Sequence, residues 1–147
     1  MTDRTVLITG ATAGIGEAAA RAFAAAGWRV IGTGRRAERL EALATEIGPK
    51  MHMLALDMRD EAAIDGALAS LPPEFQAIDL LINNAGLALG TAPAHKADLA
   101  QWRQMIDTNI NGLIAITHKL LPRLVERKGA IINLSSVAAT YPYAGGN

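Results

Sequence analysis

The chain has 147 residues, half of them hydrophobic, with 14 basic and 14 acidic side chains and a formal net charge of zero. That length allows one domain with a substantial core, and the charge balance argues for neither a nucleic-acid nor an anionic-membrane partner. The absence of cysteine excludes disulfides and thiolate metal sites, and no apolar run reaches the roughly 20 residues of a spanning helix.

Residues 1–4 lead directly into an apolar strand and do not resemble a signal peptide, so the expected setting is cytoplasmic. Strand and helix signals then alternate. Residues 5–8 (TVLI) form a first strand, and the alanine-rich segment 15–26 forms a helix stopped by Gly27. A second strand is expected over 28–32 and a helix over 37–47, its wet side carrying Glu38, Arg39, Glu41 and Glu46 and its end marked by Gly48-Pro49. A third strand covers 51–56. Asp60 caps a helix that runs to Leu71 and is broken by Pro72-Pro73. The fourth strand is 78–82. Asp98 and Gln101 resemble a capping box opening one long helix to about Glu126, and 130–134 is the fifth strand.

Short apolar strands between helices predict an α/β fold, a parallel sheet covered on both faces. Right-handed crossovers make it a doubly wound Rossmann sheet of order 3-2-1-4-5 that stops after strand 5. The whole chain, 1–147, is expected to be one dinucleotide-binding domain. Ligands of such sheets lie beyond the carboxyl ends of the strands, at the switch between strands 1 and 4.

The chemistry-bearing residues fall at those ends. Thr9 to Gly16 (TGATAGIG) follows strand 1 and opens a helix. Gly10 permits a tight exit from the strand, Gly14 presents no side chain to a pyrophosphate, and Gly16 allows close packing of the new helix. The helix N-terminus favours phosphate charge. Gly10, Thr12, Ala13, Gly14, Ile15 and Gly16 are therefore candidate cofactor contacts. The spacing is G-x-x-x-G-x-G rather than G-x-G-x-x-G, and an ordinary strand-to-helix loop is the alternative.

After strand 2, Arg35 and Arg36 stand where an acidic residue would bind the ribose of NAD, which favours the 2′-phosphate of NADP. A solvated pair opening a surface helix is the competing reading. Asp57 and Met58 follow strand 3. Asp57 is suited to accept from an adenine amino group, or equally to cap a turn. Asn84, Ala85 and Gly86 follow strand 4, where small residues and amides let backbone approach a ligand and brace the turn. Asn109 falls on a helical stripe with Trp102, Ile106, Leu113 and Ile116, so it is expected to be partly buried in an opened turn that holds a water, or else to be a satisfied core amide. Ser136 closes strand 5, placed to hydrogen-bond a substrate carbonyl or simply to cap a turn. His52, His95 and His118 lack ligand spacing, and no metal is expected.

Together Thr9, Gly10, Gly14 and Gly16, the run Asn83-Asn84-Ala85-Gly86, Asn109 and Ser136 resemble the short-chain dehydrogenase/reductase family across the whole chain. Gly34-Arg35-Arg36, residues 83–96 and residues 142–147 are similar to its NADP-dependent 3-hydroxy acid dehydrogenase subgroup. The resemblance implies hydride transfer between NADP and a hydroxy acid or semialdehyde such as serine, L-allo-threonine or malonic semialdehyde. It implies that Ser136 positions the substrate oxygen and that Asn109 holds a relay water. A Tyr-x-x-x-Lys pair would supply the general acid/base and bind the nicotinamide ribose. That pair would fall just beyond Asn147. Tyr141 and Tyr143 lie too near Ser136 and have no lysine four residues on. The chain is therefore expected to be the N-terminal, cofactor-binding part of a longer enzyme, inactive alone, with strand 5 as an exposed apolar edge. The resemblance also implies a homo-oligomer, a dimer or tetramer. A 3-oxoacyl-thioester reductase of the same family and a non-catalytic dinucleotide-binding module remain the alternatives.

Overall fold

A computed structural model describes residues 4–141 and 143. Its elements in chain order are β1 (Thr5–Ile8), α1 (Gly14–Ala25), β2 (Arg29–Gly34), α2 (Ala37–Ile47), β3 (Met51–Ala55), α3 (Glu61–Ala69), β4 (Ile78–Asn83), α4 (Leu99–Ile106), α5 (Gly112–Arg127) and β5 (Ala130–Asn133). The sheet is parallel, in the expected order β3-β2-β1-β4-β5. β1 lies at its centre, with Leu7 level with Ile31 of β2 and Leu81 of β4.

Alternation along the strands divides the core. Leu7, Ile31 and Leu81 face one way, onto Ile64 and Leu68 of α3 and Ile116, Leu120 and Leu124 of α5. Val6, Ile8, Val30 and Ile82 face the other, onto Ala20 of α1 and Leu40 and Leu43 of α2. Both faces of β1 are fully buried, so its sequence is continuously apolar rather than alternating. Each fully buried Leu or Ile contributes about 1.5–3 kcal/mol relative to exposure.

The boundaries depart from expectation where tertiary pairing outlasts the local pattern. β2 continues to Gly34 because both its neighbours still pair there. The Ala11 N–H donates to the Thr33 carbonyl at 2.8 Å, and the Leu56 N–H to the Gly34 carbonyl at 3.0 Å. α3 ends at Ala69; Asp60 caps it as expected, accepting from the Ala63 N–H at 2.9 Å.

The single helix expected over 98–126 is corrected. α4 and α5 are separate α-helical segments joined by a π-helical turn, Asp107–Asn111. The turn inserts a residue and rotates the helix. The stripe of Trp102, Ile106, Asn109, Leu113 and Ile116 therefore does not form one buried face: Ile116 is buried, whereas Ile106 and Asn109 are exposed. β5 is an exposed edge, including Ile131 and Ile132. Among the described residues, no helix is long and apolar enough to cross a membrane.

Candidate functional site

The carboxyl ends of β1, β2, β3 and β4 surround a cavity of about 740 Å³. At its floor lies the glycine turn. Gly10 has φ +72°, and a Cβ there would meet the Ala85 Cα at 2.9 Å. Only glycine combines that conformation with such an approach. Gly14 has φ +57° and open space where a Cβ would stand. A Cβ on Gly16 would overlap the Gly10 carbonyl oxygen and the Asn84 amide nitrogen. The close approach expected at Gly16 is thus to the turn itself. Ala13, the N-cap of α1, supplies no side-chain hydrogen bond, so the first N–H groups of the helix have no side-chain acceptor there.

Asn84 braces this turn from β4. Its Nδ2 donates to the Thr9 and Gly10 carbonyls at 2.8 and 3.1 Å. The Thr9 hydroxyl completes the joint. It accepts from the Asn84 and Ala85 N–H groups at 3.0 and 2.9 Å and donates to the Ile82 carbonyl at 3.4 Å. Thr9 is a site-building residue that the candidate set above omits. Its signal was its place between the last strand residue and the first glycine, opposite the amide-rich end of β4.

The two arginines after β2 behave differently. Arg36 is tethered: its Nε and Nη2 donate to the Thr12 hydroxyl at 3.2 and 2.8 Å. Arg35 is exposed beside the cavity, and its charge reaches Asp57. Asp57 accepts from the Arg59 backbone N–H at 3.0 Å and from its guanidinium at 2.6 to 3.1 Å. Hydrogen bonding to Arg59 chiefly holds its carboxyl below the usual range, with a smaller contribution from the Arg35 charge. Both oxygens of Asp57 are therefore engaged in a turn. Met58 is buried beside it, its sulfur near the Thr33 hydroxyl.

Of the expected cofactor contacts, Gly10, Thr12, Ala13, Ile15, Arg35, Arg36, Asp57, Met58, Asn84, Ala85 and Gly86 line the cavity. Gly14 and Gly16 are not part of that lining; Gly14 is exposed and Gly16 packs on the turn. Gly34, Leu56, Leu87 and Thr108 complete it and do not stand among the expected cofactor contacts.

Asn109 and Ser136 lie outside the lining. Asn109 is exposed rather than partly buried. Its Nδ2 donates to the Leu87 carbonyl at 2.8 Å, and its Oδ1 accepts from the Leu87 N–H at 2.9 Å. The opened turn expected around it is the π-helical turn. Ser136 is exposed, and its Oγ accepts from the Ala138 N–H at 3.2 Å, capping a short 3-10 helix, Val137–Ala139. Tyr141 and Tyr143 are exposed. Residues 142 and 144–147 of the subgroup-like segment lie outside the described residues. His52 packs against the Phe75 ring, with centroids 5.4 Å apart.

A model of the short chain dehydrogenase family matches residues 4–147. The chain belongs to the short-chain dehydrogenase family. A serine 3-dehydrogenase from Agrobacterium fabrum is 63% identical over 143 residues, which cover 97% of this chain and 57% of that relative. An NADP-dependent 3-hydroxy acid dehydrogenase from Salmonella typhimurium is 56% identical, over 97% of this chain and 58% of its own. Among solved structures, a closed form of serine dehydrogenase complexed with NADP+ superposes with a TM-score of 0.94 at 55% identity, covering 97% of this chain and 58% of that one. The chain thus spans less than two thirds of these family members' length.

Proposed function

We propose that the cavity holds NADP and that the whole enzyme transfers hydride between it and a short 3-hydroxy acid of the serine type. The observation that carries this reading is the placement of Arg35 and Arg36, rather than an acidic residue, immediately after β2 and beside the glycine turn. An acidic side chain there would bind the ribose hydroxyls of NAD and repel a 2′-phosphate; guanidinium groups attract it. The cavity fits the group on its own geometry. Gly14 leaves open space at an N-terminus without a side-chain cap, and the volume lies within the roughly 300–1,000 Å³ of ligand pockets.

The glycine turn would hold the pyrophosphate, Arg35 and Arg36 the 2′-phosphate, Asp57 and Met58 the adenine, and Asn84 to Gly86 the nicotinamide half. When bound, NADP supplies the hydride donor or acceptor. The chain's own residues supply placement. Asn84 and Thr9 fix the turn, Asn109 fixes the loop at Leu87, and Ser136 offers a hydroxyl to the substrate oxygen. The Ser136 contact with Ala138 uses the oxygen as acceptor and leaves the proton for that role. General acid/base work belongs to a Tyr-x-x-x-Lys pair, which does not occur in these 147 residues. A cytoplasmic homo-oligomer is part of this reading, on the resemblance to the family.

Fluorescence titration with NADPH and NADH tests the cofactor. The parent chain should bind NADPH at least about tenfold more tightly, a difference of about 1.4 kcal/mol, and Arg35→Asp should erase that gap. An unchanged preference removes Arg35 from the account. Turnover of L-serine with NADP by the full gene product tests the chemistry. Near-parental turnover in Ser136→Ala would sink the role given to Ser136.

A further inference from the structure

We infer that Thr12 is a positioning residue for NADP selection, acting through Arg36; this rests on the NADP reading above. Three residues from two segments, the turn after β1 and the end of β2 with the link to α2, form the device. Gly34, the last residue of β2, has no side chain, and a Cβ there would lie 2.5 Å from the Thr12 Cγ2. Thr12 therefore sits directly on the end of β2 and is itself 7% exposed. Its methyl packs on Gly34, and its hydroxyl oxygen accepts from both Nε and Nη2 of Arg36.

The orientation has a chemical consequence. A guanidinium carries five N–H donors in a rigid fork. Thr12 takes two of them, along the Nε–Nη2 edge. The Nη1 end of the fork is left for a phosphate. Arg36 is a long side chain, and an untethered one loses rotamer freedom whenever it binds. The hydroxyl of a buried threonine removes much of that cost beforehand. Among the described residues Arg35 has no such tether; it stands exposed beside the cavity as the second charge of the pair. Selection of the 2′-phosphate thus depends on a neutral residue of the glycine turn as well as on the cations.

The test uses the full chain and reads the ratio of NADH to NADPH dissociation constants. Thr12→Val keeps the shape and the methyl against Gly34 but removes the acceptor. It should weaken NADPH binding by about tenfold and leave NADH binding within about twofold. Thr12→Ser keeps the hydroxyl and should retain the parental ratio. In an Arg36→Met background, Thr12→Val should change the ratio no further. Equal loss for both cofactors would make Thr12 a structural residue and overturn the inference. An additive effect in the Arg36→Met background would show direct contact of Thr12 with the cofactor and would overturn it too. Should the parent fail to prefer NADPH, the NADP reading itself fails. Should the parent prefer NADPH while Thr12→Val keeps the ratio, only the positioning role fails.

Discussion

Asn109 exchanges two hydrogen bonds with the backbone of Leu87, so that one exposed amide ties the π-helical turn to the loop after β4. It is the last rung of a ladder. Along the same side, the Met105 sulfur accepts from the Leu89 N–H at 3.2 Å, and the Gln101 Oε1 lies against left-handed Gly90. Residues four apart on a helix share a face, and the loop runs antiparallel along it. Asn109→Ala should therefore loosen the loop, at a stability cost of about 1 kcal/mol. Asn109→Asp keeps the acceptor for the Leu87 N–H but replaces the donor with a carboxylate oxygen facing the Leu87 carbonyl. Native-state hydrogen exchange at the Leu87 amide checks this. It should speed up most in the alanine variant and less in the aspartate variant, which keeps one of the two hydrogen bonds; equal rates in all three would refute the ladder.

Gly14 and Gly16 respond to different demands. Gly14→Ala meets no atom but must adopt φ +57°, which costs about 1–2 kcal/mol. Gly16→Ala pushes a methyl into the Gly10 carbonyl and the Asn84 amide. The carbonyl belongs to backbone that Asn84 already holds. We expect Gly16→Ala to cost about 1–3 kcal/mol from overpacking and to displace the turn as well. Urea midpoints and NADPH titrations separate the two effects. If Gly16→Ala binds NADPH like the parent, the Gly10–Gly16–Asn84 contact does not shape the site.

Asp57 is an acid whose folded pKa lies below its ordinary 3.8, chiefly through Arg59. The pair's contribution to stability is present in full above 3.8 and is lost as pH falls through the lowered folded value. Both side chains are partly exposed, so the effect is modest and screened by salt. Arg59→Met should raise the Asp57 pKa towards 3.8, as followed by NMR of the carboxyl carbon. The urea midpoints of parent and variant should converge under acid. A constant gap from neutral pH down to pH 2 would show that the arginine acts by packing and not by charge.

Much of this arrangement was legible because it is local. The continuously apolar strands announced a sheet buried on both faces, and the glycine spacing announced the turn after β1. Arg35 and Arg36 stood out through their type and their place after β2. The Arg36 tether did not, because nothing in the sequence pairs it with Thr12, 24 residues away. Thr9 was legible as part of the glycine motif, but its bracing role was not: its hydroxyl is satisfied by the end of β4, some 75 residues downstream. The π-helical turn was legible only at Asn109, as an opened turn; the helical spacing of Trp102, Ile106, Leu113 and Ile116 on either side of it read as one unbroken helix. Asn109 invited a buried reading because it falls on the apolar stripe of Trp102, Ile106, Leu113 and Ile116, yet its partner is the Leu87 backbone in an exposed setting.

At the opposite end of the sheet, Asp79 joins three elements away from the cofactor site. Its Oδ2 accepts from the Thr5 N–H at 2.9 Å, and its Oδ1 accepts from Nε and Nη2 of Arg127 at 3.0 and 2.7 Å. The side chain is 15% exposed, the Arg127 side chain 38%. The clamp sets the first residue of β1 against β4 and pins the last turn of α5. Asp79→Ala strands the Thr5 N–H and should cost about 2–3 kcal/mol. Asp79→Asn keeps an acceptor for Thr5 and gives up the charge on Arg127, so it should cost about 1 kcal/mol. Arg127→Met should match the asparagine variant, and its combination with Asp79→Asn should add little, because both remove the same ion pair. Urea unfolding of the four proteins gives the cycle. Full additivity would show that Arg127 and Asp79 stabilise the fold independently, while NADPH affinity should stay parental in every variant.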